Sequence, residues 1–439
     1  MDKETVKQII RENQEFPLPP LVERDVEIPL DSSKIITLSG PRRSGKTFLL
    51  YSFMKKIVQA KINPEKMFYI SFDDPRLLPC TASDLQTISE CYFELYPHLY
   101  GKMNYAFLDE IQNVKDWELG IRRIYDTGNF RLFLTGSSSK FLSKEIATNL
   151  RGRALNFEIL PFSFKEFIRA KGIDASVDKN LVYSSKRFGV KKMLAEYFET
   201  GSFPEVALEK SENLKVRILK EYLNTMFFRD MIERYRIRNE AVIRELIKYF
   251  STNVGNVFSQ NNIWKWLKQT HPLTKKTLIH YSAYLEDIGL FFFLRRFSFS
   301  VKEQLQTKRK VYIVDNGLRS AFGFRFSEDR GRILENTVFL ELKQRQNRNP
   351  FSEIFYYQDH EKREVDFVIK ERNRIKNLVQ VYTSLQNFET KKREVNSLFS
   401  AGKNLKCSNL TVITFEEEGE EKIQGKKIIF KPVWKWLME

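Results

Sequence analysis

The 439 residues are 42% hydrophobic and 29% charged, a globular composition with room for two to four domains. The longest purely apolar run, Ile288 to Leu294, is far short of the roughly 20 residues of a membrane span, and the Met-Asp-Lys-Glu-Thr start carries no apolar signal region. Cys80, Cys91 and Cys407 are too scattered for a disulfide or metal framework, so the chain is expected in the cytoplasm with reduced thiols. Lys and Arg number 73 against 56 Asp and Glu, a net +17 that favours polyanions, above all nucleic acid. The excess concentrates between Glu205 and Arg330, where 23 basic residues face 14 acidic ones. Basic chains without a polyanionic partner also exist, so the charge locates a surface without proving one.

Residues 34–40 form a short apolar run of the buried parallel-strand type. It leads into Gly40-Pro41-Arg42-Arg43-Ser44-Gly45-Lys46-Thr47 and then a helical pattern opening at Phe48. Strand, G-x-x-x-x-G-K-T and helix together predict a phosphate-binding loop that takes ATP with Mg2+. Glycines let backbone N–H groups approach phosphate oxygens at the positive end of a helix. Lys46 is expected on the β- and γ-phosphates and the Thr47 hydroxyl on Mg2+. Residues 40–47 and Phe48 are the cofactor-binding set. Met67 to Phe72 reads as a second core strand. Tyr105 to Glu110 is a third, closed by two carboxylates, with Asp109 expected in the Mg2+ shell and Glu110 on the attacking water. Arg131 to Thr135 is a fourth, ending in Gly136-Ser137-Ser138-Ser139. A hydroxyl there can sense the γ-phosphate; Ser137 is the first candidate and Thr135 the second, while a serine N-cap of the next helix is an equal reading. Helices between these strands imply right-handed crossovers and a parallel sheet.

The series G-P-R-R-S-G-K-T, L-D-E-I-Q-N-V-K-D-W, L-T-G-S-S-S, L-R-G-R and L-P-F-S-F-K-E-F resembles the archaeal and bacterial AAA+ ATPases related to the STAND group. G-S-F-P-E (201–205), F-F-R-D-M-I-E-R (227–234) and V-Y-I-V-D-N-G-L (311–318) extend the resemblance over most of the chain. It implies a homo-oligomer in which Arg151 or Arg153 reaches a neighbour's γ-phosphate, though either could be a plain surface arginine. It also implies that Pro204 of Gly201-Ser202-Phe203-Pro204 sits against the nucleotide base; a helix start with proline in its first turn explains the same residues.

Residues 241–252, 259–267 and 274–288 carry helical patterns, followed by strands at 290–299 and 310–314 around a loop at 300–309. Three helices and a β-ribbon suggest a winged helix-turn-helix, with Lys275, Lys276 and His280 toward DNA and Lys302, Lys308 and Arg309 along the wing. Such modules also pack against protein, and exposed charge is often only solvated.

From Arg332 the pattern of helix, three strands and helix resembles the PD-(D/E)xK nuclease core. The resemblance places Glu335 on the helix and Asp366 on a strand as metal ligands. Gln380-Val381-Tyr382 departs from it where Glu-x-Lys would stand, so activity requires a lysine from elsewhere, such as Lys391 or Lys392. A binding or assembly module in the nuclease shape is the favoured reading. Glu416 to Glu421 reads as an acidic surface loop.

The expected fold is α/β: a P-loop AAA+ parallel-sheet core (1–165), a helical lid (166–238), a winged helix (239–318) and a smaller nuclease-like domain (319–439). The expected activity is ATP hydrolysis coupled to DNA binding or remodelling. The alternatives are a STAND-like ATP-controlled switch acting on a protein partner, or an ATP-dependent nuclease.

Overall fold

Four largely buried runs and a more exposed edge segment pair into one parallel sheet: β1 (Ile35–Ser39), β2 (Met67–Ser71), β3 (Asn104–Asp109), β4 (Phe130–Gly136) and the edge strand β5 (Ala154–Glu158), in the order β2-β3-β4-β1-β5. The computed structural model describes residues 1–137, 150, 152–173, 187–322, 330–382 and 388–439. They divide into one unit of Met1–Leu160 with Asp287–Gly289, and a second of Pro161–Glu286 with Leu290–Glu439.

In the first unit, successive strand residues point to opposite faces. Ile36, Leu38, Tyr105, Phe107 and Phe133 join one apolar cluster with Leu49, Leu50 and Phe53 of helix Lys46–Gln59. Ile35, Ala106, Leu108, Leu132 and Leu134 join the other, with residues of helices Lys3–Glu15, Ala82–Leu95 and Trp117–Asp126. Both faces are therefore covered by helices, as a parallel sheet requires. The cysteines are free and buried. Among the described residues no helix is long and apolar enough to cross a membrane.

The second unit opens with helices Phe164–Ala170, Arg187–Thr200, Pro204–Leu208 and Glu212–Thr225, the last continuing in wider turns to Glu233. Helix Glu240–Thr252 leads to β6 (Val257–Phe258), helices Gln260–Leu267 and Lys275–Asp287, then β7 (Phe291–Arg295) and β8 (Arg309–Ile313). These strands form an antiparallel sheet in the order β6-β8-β7. The pattern predicts a loop over 300–309, but Val301–Gln306 is a helix capped by Ser300, whose hydroxyl accepts from Glu303 N–H.

After helix Arg330–Arg348 comes a six-stranded mixed sheet: β9 (Ser352–Gln358), β10 (Glu364–Glu371), β11 (Arg374–Val381), β12 (Leu410–Thr414), β13 (Gly419–Ile423) and β14 (Lys426–Pro432), ordered β9-β10-β11-β12-β14-β13. The acidic run at 416–421 is a loop only in part. Glu420 and Glu421 lie on edge strand β13, opposite Ile429 and Ile428 of β14. An edge strand tolerates charge because it faces water, and Lys427 pairs with Glu420 at 2.6 Å.

Two sequence motifs of the second unit meet at one buried carboxylate. Asp315 caps helix Asn316–Ala321, accepting from Leu318 N–H at 3.0 Å, and its other oxygen accepts the Ser202 hydroxyl at 2.9 Å. Burial pushes the Asp315 carboxyl up, opposed by these hydrogen bonds. Gly201 has φ +80°, and a Cβ there would lie 2.0 Å from Asp315 Oδ1. Asp315→Ala should therefore leave the Ser202 and Leu318 donors unpaired and destabilise the chain by about 2–4 kcal/mol. Gly201→Ala should cost a similar amount through collision and backbone strain. Urea unfolding of each variant against wild type measures both.

Candidate functional site

The site is built at the C-terminal ends of β1, β3 and β4. Gly45 (φ +95°) caps helix Lys46–Gln59 from the left-handed region, leaving the first N–H groups of the helix turned toward the loop. At Gly40 (φ +144°) a Cβ would stand 2.2 Å from the Ile159 carbonyl oxygen, so glycine is required. Arg24 donates to the carbonyls of Ser44 (2.9 Å) and Leu160 (2.7 Å), bracing the loop from outside. Lys46 is buried, and its Nζ donates to the carbonyls of Gly40 (3.1 Å) and Pro41 (2.9 Å). Arg42 is half-buried, whereas Arg43 and Phe48 are exposed.

Asp109, the last residue of β3, accepts hydrogen bonds from three elements. Thr47 Oγ1 and the Tyr69 hydroxyl donate to its Oδ2 at 2.8 and 2.9 Å, and Thr135 Oγ1 donates to its Oδ1. Thr135 in turn accepts the Glu110 N–H at 2.9 Å. Strand order makes this possible: β4 lies between β1 and β3, so the end of β4 touches both loop and acids.

Glu110 is buried and sits at φ +53°, a strained setting for a non-glycine residue. Burial raises its carboxyl above the ordinary range; Lys46 opposes the rise and Asp109 adds to it. Gln112 Nε2 donates to Glu110 Oε2 and, at 3.4 Å, to Ser137 Oγ, linking the expected base to the expected sensor.

This arrangement fits a nucleotide triphosphate with Mg2+. The two glycines clear side chains from the loop, and the buried Ser44 hydroxyl has no hydrogen-bond partner among the described residues. Thr47 and Asp109 stand within hydrogen-bond distance, the spacing of two oxygens able to share one cation. Tyr69, Gln112 and Arg24 also belong to the site, though nothing in their local sequence marks them. Tyr69 passes for a core residue of an apolar strand, Arg24 lies in an irregular segment, and only the position of Gln112 two residues after Glu110 could have drawn notice.

The remaining candidates belong to other elements. Arg153 pairs with Asp126 at 3.3 Å and lies over the Tyr125 ring, while Arg151, Ser138 and Ser139 fall outside the described residues. Pro204 opens helix Pro204–Leu208 in the second unit. Lys275, Lys276 and His280 are exposed on helix Lys275–Asp287, whose Leu278 and Leu285 are buried. Lys302 and Lys308 are exposed and Arg309 is half-buried. Glu335 and Asp366 are brought together, and Gln380 accepts the Asp366 N–H at 3.3 Å. Lys391 pairs with Glu421 instead of reaching them.

A phosphate loop, a buried acid pair and an intervening strand carrying the hydroxyl define a P-loop protein of the AAA type. The AAA domain family model matches residues 32–168, and two domains of unknown function, DUF8612 and DUF4143, match residues 191–329 and 330–435. The uncharacterized protein MJ1544 of Methanocaldococcus jannaschii is 37% identical over 428 residues, covering 95% of this chain and 91% of that protein. An uncharacterized protein of Haemophilus influenzae is 29% identical over 411 residues, 93% of this chain and 95% of that one. Among solved structures, the Aeropyrum pernix ORC1 protein in complex with DNA aligns over 73% of this chain and 91% of that chain, at 13% identity. Its TM-score of 0.29 is too low to bear on this chain. The chain belongs to the family of AAA-domain proteins that includes MJ1544.

Thr135 makes two hydrogen bonds at the acid pair and Ser137 one long one. Thr135→Ala should lower nucleotide hydrolysis by about 10- to 100-fold, the worth of a hydrogen bond to a charged group. Ser137→Ala should cost about threefold or less. Steady-state phosphate release from the two variants orders them.

Proposed function

We propose that this protein is a Mg2+-dependent ATPase that couples hydrolysis to nucleic-acid handling. The single observation that carries the ATPase reading is the Asp109 carboxylate holding the Thr47 hydroxyl at the mouth of the phosphate loop, beside a buried Glu110. In this reading the loop N–H groups and Lys46 bind the β- and γ-phosphates. Thr47 and Asp109 would hold Mg2+, which would neutralise charge on those phosphates. Glu110, its carboxyl made more basic by burial, takes a proton from the attacking water. Thr135 fixes the turn of chain that aims Glu110, and Ser137 faces the γ-phosphate side. Arg151 or Arg153 supplies the cation for a neighbouring copy in a homo-oligomer; for Arg153 that requires leaving Asp126.

The nucleic-acid half rests on charge. The net +17 and the exposed Lys275, Lys276 and His280, on a helix whose other face is buried, support a winged-helix contact with DNA phosphates and groove. Lys302, Lys308 and Arg309 extend it. Pro204 marks the lid over the base, and the C-terminal sheet acts as a binding or assembly module.

One observation favours a second reading, the slow ATP-controlled switch. The Gln112 amide donates to Glu110 Oε2, so one oxygen of the expected base is engaged by the chain itself.

Lys46→Ala should abolish tight ATP binding, whereas Glu110→Gln should keep binding and trap ATP unhydrolysed; equilibrium binding and single-turnover assays separate the two. Wild-type ATPase rate should rise with double-stranded DNA, and the rise should weaken between about 50 and 200 mM salt as counterion release weakens binding. A rate indifferent to single-stranded, double-stranded and branched DNA contradicts the nucleic-acid half and supports the switch.

A further inference from the structure

The second unit contains a buried ionic cluster that the nucleotide chemistry does not use. Lys310 of β8 has a side chain 2% exposed, and its Nζ lies 2.9 Å from Glu335 Oε1, 2.7 Å from Glu364 Oε1 and 2.8 Å from Asp366 Oδ1. The ammonium donates hydrogen bonds to Glu335 and Asp366, and Glu364 completes the set as an ion pair. The acids are otherwise held as well. Tyr312 donates to Glu335 Oε1 at 2.8 Å, and Val381 N–H donates to Asp366 Oδ2 at 2.9 Å. Gln380 donates to Glu394 at 2.8 Å, so its amide is turned to a neighbouring acid.

The nuclease resemblance would put a divalent metal between Glu335 and Asp366, and the residues present do not fit one. The point the two carboxylates share is taken by a nitrogen. Its oxygens stand at ammonium distance, about 0.7 Å farther than Mg2+ requires. Among the described residues no group of three or more His, Cys, Asp or Glu side chains is arranged to hold a metal ion. A second cation at the same point would meet the Lys310 charge at contact distance.

We infer that Lys310 is the resident cation of this acid cluster: it fills the place of a metal, closes the cluster to divalent ions, and fastens β8 to helix Arg330–Arg348 and β10. The same junction carries an uncharged clamp, in which Asn336 accepts from Ile313 N–H and donates to Ile313 O, both at 3.0 Å. The lysine absent from β11 is thus replaced from another sheet, in a position where it bonds the acids directly. Loss of one partner leaves a buried charge uncompensated, so the cluster holds only as a set.

The test is Mn2+ binding to the nucleotide-free full chain, followed by electron paramagnetic resonance of the free ion and by thermal melting. Lys310→Gln removes the charge and should open a site that binds Mn2+ about tenfold or more tightly than anything at this position in wild type. Adding Asp366→Asn to that variant should remove the gain, and Mn2+ should raise the melting temperature of Lys310→Gln alone. Equal Mn2+ binding by wild type and Lys310→Gln overturns the inference. If Lys310→Gln does not fold, wild type decides against the half-exposed Glu364→Gln variant. Melting of wild type unmoved by Mn2+ supports the inference, and a Mn2+-dependent rise lost in Glu364→Gln overturns it. None of these readouts requires ATP, so they stand apart from the proposed hydrolysis.

Discussion

The nucleotide site depends on one buried carboxylate. Asp109 gathers hydroxyls from the loop helix, from β2 and from β4, and each comes from an element fixed by the sheet. A carboxylate with this little exposure needs such donors, because an ionised acid without them would be strongly destabilising. The strand order supplies them: β3 has β2 on one side and β4 on the other, with β1 and its loop beyond. Tyr69 can therefore approach from one flank and Thr135 from the other. The Thr135 hydroxyl then ties the Glu110 backbone into the same network. Asp109, the Glu110 backbone and the end of β4 are thus parts of one hydrogen-bonded unit.

The parts of the site legible in the sequence are those written locally. The eight residues from Gly40 to Thr47 carry their own geometry: Gly40 is dictated by the Ile159 carbonyl and Gly45 by its left-handed φ. The acid pair closes an apolar run, and that run is the strand Asn104–Asp109. What could not be read are contacts between residues far apart in the chain. Tyr69 and Asp109 are 40 residues apart, and an apolar strand hides a tyrosine with a function among tyrosines that only pack. Arg24 braces two carbonyls, one of them 136 residues away, which no spacing rule anticipates.

The second unit shows the same limit from the other side. G-S-F-P and V-D-N-G-L stand out in the sequence as separate motifs, yet they form one contact through Asp315. The strand at 410–414 and edge strand β13 escaped notice because one is a short wholly buried run and the other is dense in charge. Lys310 is the clearest instance. A boundary at residue 318 assigns it to one domain and its three carboxylate partners to the next. Only the fold brings the β8 strand against the helix that follows, and only then does the lysine missing near Gln380 have a counterpart.

The claim that Asp109 organises the metal and the phosphate loop together is tested most directly by Mn2+ binding with and without ATP, in wild type and Asp109→Asn. The account predicts tight Mn2+ binding in wild type only when ATP is present. It predicts a loss of about tenfold or more in Asp109→Asn, with ATP itself still bound through Lys46 and the loop. Equal ATP-dependent Mn2+ binding by the two proteins would contradict it.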